Sequence, residues 1–355
     1  MFFSGIGTAT PPRRYTKADC WNAFLASDWF LRLDRRSHAL AEAVLLRDNG
    51  ISARRLALDS LAEVFAIDPD TLQRRFTTHA PALATEAAEA ALRDADIGAR
   101  HIDAIVVSTC TGYLCPGLTS YLAERLGLNP DVQAFDLVGQ GCVAALPNLR
   151  LANALIAGGA GQQVLSVCVE VSSAAMYLDN DPGVLVSACL FGDGAGAAVL
   201  SAQAPKHKRC IEWRSSSSVL EPRQRDALRF EQRGGMLRNI LTRPVPTLAA
   251  EHARTVLDAE LTHARLTIPE ITAWIMHAGG RDVLQALRER IGLSVDDLRY
   301  SAAILDEYGN MSSAFVYFVL EHALEDNAPP GWWWMSAFGA GFSCHGALLA
   351  VGARE

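Results

Sequence analysis

Cys142 has the sequence surroundings of a reactive nucleophile. It follows Gly139 and Gly141 and precedes a largely apolar run, 143–157, which ends before two further glycines. This order predicts a tight glycine turn and then a buried helix with a glycine C-cap. Unpaired N–H groups and the macrodipole at a helix N-terminus stabilise a thiolate, so we expect a depressed pKa for the Cys142 thiol. The ordinary alternative is a small buried core residue, as most free cysteines are.

Two polar residues of the second half, His277 and Asn310, are candidates to complete a site for acyl transfer. That chemistry requires an anionic nucleophile, a group that pairs with it and an oxyanion hole. His277 ends a predicted strand, 273–276, and precedes Gly279 and Gly280, which permit the close approach of a ligand. Asn310 begins an apolar helix and carries an amide donor that does not titrate. The alternatives are a core histidine and a helix N-cap.

The two halves of the chain repeat one pattern. Gly141-Cys142 before a buried helix matches Gly309-Asn310 before a buried helix, and FGDG before one strand matches FGAG before another. A duplicated βαβαβ unit explains both matches and predicts an α/β fold with buried sheets covered by helices. We place the boundary in a polar, basic segment, which gives an N-terminal half, 1–205, and a C-terminal half, 206–355. In this arrangement Cys142 and Asn310 face one central cavity.

Composition narrows the possible partners. The chain has 355 residues and a formal net charge of −7, which argues against nucleic acid or an anionic membrane as the main partner. Its eight cysteines show no CxxC spacing, so we expect neither a zinc site nor a disulfide framework. We find no signal peptide, membrane span, metal-ligand cluster or dinucleotide fingerprint, and we expect a cytoplasmic protein with reduced thiols and no metal or redox cofactor.

Several motifs together resemble the chalcone synthase-like type III polyketide synthases of the thiolase superfamily. They are, in chain order, GQGCVAALPNLRLA, FGDGAGAAVL, WIMHAGG, EYGNMSSA and FGAGF. The resemblance covers nearly the whole chain and is strongest from Ile102 onward. It implies a thiolase fold with a five-layered αβαβα core, a homodimer, and a catalytic triad of Cys142, His277 and Asn310.

The same resemblance implies a reaction. An acyl-CoA would load its acyl group on Cys142, and malonyl-CoA would lose carbon dioxide to give an enolate held by His277 and Asn310. The enolate would extend the acyl chain by two carbons, and cyclisation would give a resorcinol, phloroglucinol or pyrone. Coenzyme A thioesters are the substrates of this chemistry, and no cofactor takes part.

The resemblance also implies a set of residues around the substrate. Positions of the family cavity fall on Phe191, Ser312, Ala175, Ser172 and Gly279. Cys110 and Cys115 lie in a loop, 109–117, that resembles the family's dimer loop, whose tip enters the partner's cavity; its Cys-Pro bond is of the kind that can be cis. The basic residues that bind coenzyme A in plant enzymes do not match cleanly, so Arg47, Arg54 and Arg55 are candidates only.

Three departures from the plant enzymes predict a wider cavity. The second gate phenylalanine falls near Asn239, Ala175 replaces a larger side chain, and Ala340 replaces the proline of the GFGPG loop. We therefore expect an aliphatic acyl-CoA starter to be accepted at least as well as a coumaroyl ester.

Two other functions are compatible with this fold. A ketoacyl-ACP synthase III-like enzyme shares the triad, but it shows HxxN where this chain has His277 followed by Ala-Gly-Gly. A non-catalytic thiolase-fold binding protein is expected to lack one triad member, and this chain keeps all three.

Overall fold

The structure, a computed structural model, describes residues 1–47, 49–206 and 208–353. The strands of the first half are β1 (Phe2–Ala9), β2 (Arg14–Thr16), β3 (Ala53–Arg55), β4 (Ala104–Ser108), β5 (Gln133–Leu137), β6 (Gln163–Glu170) and β7 (Gly194–Ser201). Those of the second half are β8 (Ile211–Leu220), β9 (Leu228–Arg233), β10 (Met236–Leu241), β11 (Ile271–Met276), β12 (Gly331–Gly339) and β13 (Ser343–Val351).

The helices alternate with these strands along the chain. In the first half they are α1 (Lys17–Leu25), α2 (Asp28–Arg32), α3 (Arg35–Leu46), α4 (Pro69–Ala95), α5 (Leu118–Leu126), α6 (Ala145–Ala157) and α7 (Pro182–Leu190). In the second half they are α8 (Val245–Ala264), α9 (Arg281–Ile291), α10 (Arg299–Tyr308) and α11 (Phe315–Glu325).

Strand topology confirms the predicted duplication. The first half orders its main strands β5-β4-β6-β7-β1, and the second half orders its strands β11-β12-β13-β8. The pair β4–β6 of the first half is parallel, as is the pair β11–β12 of the second half. The pairs β6–β7 and β7–β1 are antiparallel, and so are the pairs β12–β13 and β13–β8. Among the described residues, no strand of the second half corresponds to β5. One pairing between β1 and β8, Phe2 with Glu212, joins the halves into a continuous sheet.

The layers follow from which side chains each strand buries. Ile105 and Val107 of β4 pack with α4, whereas Ala104 and Val106 pack on the opposite face with α6, as the twofold period of a strand requires. Both α6 and α11 also contact strands of the other half, and α8 covers the outer face of the second-half strands. The order helix, sheet, helix, sheet, helix is the five-layered core that the sequence predicted.

Helix α4 packs unusually close to the sheet. A Cβ atom at Gly7 of β1 would lie 2.3 Å from the backbone nitrogen of Ala91, so only glycine fits there. The helix begins at Pro69, because Asp68 caps it by accepting a hydrogen bond from the Thr71 N–H.

The N-terminal region is less helical than expected. The sequence predicts a helical pattern from about Tyr15 to Ala66, but β3 interrupts it and pairs with β2. Helix α1 packs against α3 and a 3₁₀ turn, Leu61–Phe65, and α3 packs against α7, so that these elements form a side lobe next to β3.

The predicted boundary between halves, at 205/206, lies between β7 and β8. In the part of the chain that the structure describes, no helix has the length and apolar character needed to cross a membrane.

Candidate active site

The turn before α6 holds Cys142 at the interface of the two halves. Cys142 lies in a 3₁₀ turn, Gly141–Val143, and Gly141 takes a positive φ of 61° that favours glycine. A loop of the second half closes over this turn, since a Cβ atom at Gly339 would lie only 2.7 Å from the Gln140 carbonyl oxygen. The side chain is nearly buried, with 9% of its surface exposed.

The surroundings of the Cys142 sulfur contradict the predicted pKa. Burial raises the pKa of the thiol to about 12, a hydrogen bond from Ser312 lowers it, and the nearby Glu170 carboxylate raises it. The Ser312 hydroxyl lies 3.2 Å from the sulfur. The prediction of a depressed pKa was wrong for this geometry because desolvation outweighs the hydrogen bonds that favour the thiolate.

His277 stands at the end of β11 against two aromatic rings. Its backbone N–H donates to the Ser336 carbonyl oxygen at 2.8 Å. The centroid of its ring lies 5.3 Å from that of the Phe315 ring and 5.2 Å from that of the Phe338 ring. Neither ring nitrogen has a hydrogen-bond partner among the described residues. Burial lowers the pKa of the imidazole to about 3, so His277 is neutral and both ring nitrogens remain available to a ligand.

Asn310 is fixed from both sides. Its Nδ2 donates to the Gly279 carbonyl oxygen at 3.2 Å, and its Oδ1 accepts from the Ser312 N–H at 2.8 Å. The second contact is local, as in a helix cap, but the first spans two loops of the second half. Because an amide nitrogen carries two protons, one donor stays available.

One open cavity of about 760 Å³ brings the predicted triad together. Cys142, His277 and Asn310 all line it, together with Phe191 and Gly279. Glycine is needed at 279 because a Cβ atom there would lie 2.9 Å from the Phe338 ring. Three basic residues also line this cavity: Arg47, Arg243 and Arg281. Arg47 is therefore where the sequence predicted it, and the other two were missed.

A second, more enclosed cavity continues inward from Cys142 and Phe191. It is lined by the remaining predicted cavity residues, Ser172, Ala175, Ser312 and Cys110, and also by Asn239, Phe230, Met176 and Ala340. The Ser172 hydroxyl and the Asn239 amide oxygen are buried without a hydrogen-bond partner among the described residues. Phe230 pairs with Asn239 across the β9–β10 hairpin, so the cavity keeps an aromatic residue beside the position where the second gate phenylalanine is missing.

Two of the candidate arginines lie elsewhere. Arg54 is buried, and its guanidinium donates to the carbonyl oxygens of Ala188 and Phe191 at 2.8 and 3.0 Å. Arg55 points the other way and pairs with Glu307 at 3.1 Å. Neither lines the cavity that holds the triad, whereas Arg47 does.

Cys115 is exposed at the tip of its loop, away from the cavity of its own chain, and the peptide bond to Pro116 is cis. Cys110, at the base of the same loop, lies 3.3 Å from the Ser312 hydroxyl. The loop thus divides into a base that belongs to the site and a tip that faces outward.

Sequence reasoning missed Glu170, a fully buried carboxylate next to the site. It accepts hydrogen bonds from the Cys110 N–H at 3.0 Å and from the hydroxyls of Thr111, Ser312 and Ser313. Burial raises its pKa, and the hydrogen bonds from these donors oppose that shift. A glutamate at the end of an apolar strand was the available signal, because a buried charge needs a partner.

Comparison with known proteins identifies the family. The family model described as "Chalcone and stilbene synthases, N-terminal domain" matches residues 3–204, and the C-terminal domain of the same family matches residues 215–351. The chain belongs to the chalcone and stilbene synthase family. It is therefore a type III polyketide synthase, a condensing acyltransferase of a family that uses acyl-CoA and malonyl-CoA substrates.

The individual proteins that this chain resembles share less than a third of its residues. This synthase is 28% identical over 331 residues to the 3,5-dihydroxyphenylacetyl-CoA synthase of Streptomyces toyocaensis. The aligned residues cover 91% of this chain and 82% of the relative. Its fold is similar to that of PKS-I from the brown alga Ectocarpus siliculosus, with a TM-score of 0.88, 24% identity, and coverage of 98% and 97% of the two chains. It is also similar in fold to 1,3,6,8-tetrahydroxynaphthalene synthase from Streptomyces coelicolor, with a TM-score of 0.87, 21% identity, and coverage of 99% and 100%.

Replacing Ser312 tests the environment of the nucleophile. Since the Ser312 hydrogen bond lowers the Cys142 pKa, Ser312→Ala should raise that pKa and shift the pH dependence of inactivation by iodoacetamide toward higher pH. Ser172→Ala is the matched control, because its hydroxyl lines the same cavity without a bond to the sulfur. Superimposable curves for Ser312→Ala and the wild type would contradict the assigned hydrogen bond.

Proposed function

We propose that this synthase takes the acyl group of an acyl-CoA starter onto Cys142 and extends it with malonyl-CoA to a product that then cyclises. The observation that carries the proposal is the convergence of Cys142, His277 and Asn310 on one cavity. A nucleophile, a group able to accept its proton and a fixed amide donor are what acyl transfer requires.

The loading step begins from a neutral pair. Cys142 is a thiol and His277 an unprotonated imidazole in this environment, so the proton moves to His277 as the sulfur attacks the thioester carbonyl. The new carbon–sulfur bond joins the acyl group to Cys142, the bond to coenzyme A breaks, and the coenzyme A thiolate takes the proton from His277. Moving the proton during attack avoids a standing pair of buried charges.

The extension step uses the same donors. Malonyl-CoA breaks its bond to the carboxylate, carbon dioxide leaves, and the electron pair forms an enolate. The ring N–H of neutral His277 and the free amide proton of Asn310 stabilise the enolate oxygen. The enolate carbon attacks the acyl carbonyl on Cys142 and the sulfur leaves, so that the chain returns to coenzyme A two carbons longer.

The products we propose are resorcinols, phloroglucinols or pyrones. The inner cavity beyond Cys142 supports cyclisation within the protein, since two buried polar atoms without a hydrogen-bond partner among the described residues, on Ser172 and Asn239, can orient carbonyl groups of the growing chain. A relative named for a dihydroxyphenyl product is consistent with this class.

Removing the acyl carrier tests the mechanism. Cys142→Ala should abolish chain extension without unfolding the protein, and Cys142→Gln should retain decarboxylation of malonyl-CoA because His277 and Asn310 remain. Radiolabelled product formation and carbon dioxide release measure the two activities, and the thermal unfolding midpoint checks the fold. Extension by Cys142→Ala at the wild-type rate would exclude the assignment.

Decarboxylation also separates the competing functions. A ketoacyl-ACP synthase III-like enzyme would need malonyl on an acyl carrier protein, whereas this synthase should release carbon dioxide from free malonyl-CoA. A non-catalytic binding protein would do neither.

Arg47 and Arg243 are our candidates for holding the phosphates of coenzyme A. Both are exposed and line the cavity that leads to Cys142, and guanidinium groups pair well with phosphates. The double change Arg47→Gln and Arg243→Gln should raise KM for acyl-CoA about tenfold with little change in kcat. Arg36→Gln, an exposed residue in the first turn of α3, is the control; an equal rise in KM there would argue against specific phosphate binding.

We also propose a homodimer with the 109–117 loop at the interface. Two large apolar side chains at this face, Tyr113 and Val138, are 70% and 63% exposed in the single chain, and covering them is favourable. Light scattering at micromolar concentration should give about twice the 38.3 kDa mass of the chain. Tyr113→Glu should shift the protein toward the monomer, and a wild-type monomer would refute the proposal.

We place the enzyme in the cytoplasm. All eight cysteines are free thiols, which fits a reducing compartment.

A further inference from the structure

The backbone of Asn310 is paired with residues 188–192, the segment that ends α7 and follows it. The Asn310 N–H donates to the Leu190 carbonyl oxygen, and the Asn310 carbonyl oxygen accepts from the Gly192 N–H, both at 3.0 Å. Asn310 and Phe191 thereby form an isolated parallel β-bridge. The amide donor of the triad and an aromatic residue of the cavity wall share this pairing, so a shift of the 188–192 segment moves both.

Arg54 holds the other side of the 188–192 segment. Its guanidinium group is buried, and Nη1 donates to the carbonyl oxygens of Ala188 and Phe191 at 2.8 and 3.0 Å. Ala188 lies in the last turn of α7, where a carbonyl oxygen has no partner within the helix. A cation is favourable at a helix C-terminus, and hydrogen bonds from a charged donor are stronger than those between neutral groups. One guanidinium group therefore caps α7 and fixes the Phe191 carbonyl.

The stem of Arg54 packs against the turn that carries Asn310. A Cβ atom at Gly309 would lie 3.0 Å from Cγ of Arg54 and 2.8 Å from the Leu190 carbonyl oxygen. Gly309 also has a positive φ of 69°, which favours glycine. Arg54 therefore contacts both segments of the bridge, one through its guanidinium group and the other through its methylene groups.

The other two members of the triad are held by different elements. Cys142 lies in the 3₁₀ turn before α6, where Ser312 donates to its sulfur. His277 follows β11, and its backbone N–H donates to Ser336 of β12. Asn310 is thus the triad member whose backbone pairs with the segment that Arg54 fixes.

We infer that Arg54 is a positioning residue for Asn310 and, through Asn310, for the decarboxylation of malonyl-CoA. The inference rests on the proposed function, in which the Asn310 amide stabilises the enolate oxygen. Such a donor acts only when it is fixed where the charge develops. Without the guanidinium group, two carbonyl oxygens at the end of α7 lose their donor and the bridge to Asn310 loosens. Arg54 lies outside the cavity that holds the triad, so it acts without contacting the substrate.

The test removes the guanidinium group and keeps the stem. Arg54→Met retains an unbranched side chain against Gly309 but donates no hydrogen bond. It should lower kcat for carbon dioxide release from malonyl-CoA roughly 10- to 100-fold, the cost of a misplaced catalytic group. KM should stay within about twofold, because the interaction lost acts on the chemical step. Arg54→Lys should give an intermediate kcat, since an ammonium group donates without the planar fork of arginine.

Arg75 provides the matched control. It is a second buried arginine whose guanidinium group donates to backbone carbonyl oxygens, those of Glu63 and Ser173, outside the 188–192 segment. Arg75→Met should lower the thermal unfolding midpoint as Arg54→Met does, because buried acceptors lose a donor in both. Its kcat for decarboxylation should nevertheless remain that of the wild type. The rate of Cys142 alkylation by iodoacetamide should be unchanged in both variants and reports an intact nucleophile.

A double-mutant cycle separates positioning from general destabilisation. If Arg54 acts through Asn310, adding Arg54→Met to Asn310→Ala should lower decarboxylation by no more than about twofold, because the amide that Arg54 positions is already absent. Hydrogen–deuterium exchange gives a second measurement. The peptide 308–313 should exchange faster in Arg54→Met than in the wild type, and at the wild-type rate in Arg75→Met.

Three outcomes would overturn the inference. They are a wild-type kcat for decarboxylation in Arg54→Met, an equal loss in Arg75→Met, and a loss in the Asn310→Ala background as large as that in the wild-type background. If Arg54→Met does not fold, Arg54→Lys is carried through the same cycle with the same criteria. No carbon dioxide release from malonyl-CoA by the wild type would instead refute the proposed function itself.

Discussion

The site depends on the close approach of the second-half loop at Gly339 to the turn that carries Cys142. No side chain fits at Gly339, where a Cβ atom would lie 2.7 Å from the Gln140 carbonyl oxygen and from the Val143 nitrogen. The same loop brings the Phe338 ring against His277. Both halves therefore contribute to one cavity, because glycine lets their loops meet at backbone distance.

The close approach of the two halves removes Cys142 and His277 from water. Burial favours the neutral forms of both Cys142 and His277, so the site stores no ion pair at rest. Its polar contacts run instead through Ser312, whose hydroxyl lies 3.2 Å from both the Cys142 sulfur and a Glu170 oxygen. A hydroxyl has one proton to donate, so Ser312 can serve either the sulfur or the carboxylate at a given moment.

The side lobe around β3 is tied to the wall of the active site. Its helices are not part of the duplicated core, yet together with Met176 they line an apolar cavity next to the inner active-site cavity. Arg54 ties β3 to α7 through the Ala188 and Phe191 carbonyl oxygens. Because Phe191 also lines both active-site cavities, the lobe and the gate residue are held by one guanidinium group.

The sequence by itself determined the duplication, the turn before α6 and the convergence of Cys142, His277 and Asn310, because glycine turns and apolar runs are local signals and the repeat relates the halves. Tertiary structure decided the rest. Arg54 and Arg55 are neighbours in β3, where successive side chains point to opposite faces; which face was buried depended on the packing of α1, α3 and α7. The pKa of Cys142 likewise depended on burial by distant segments, and desolvation is a property of the assembled site that no local pattern contains.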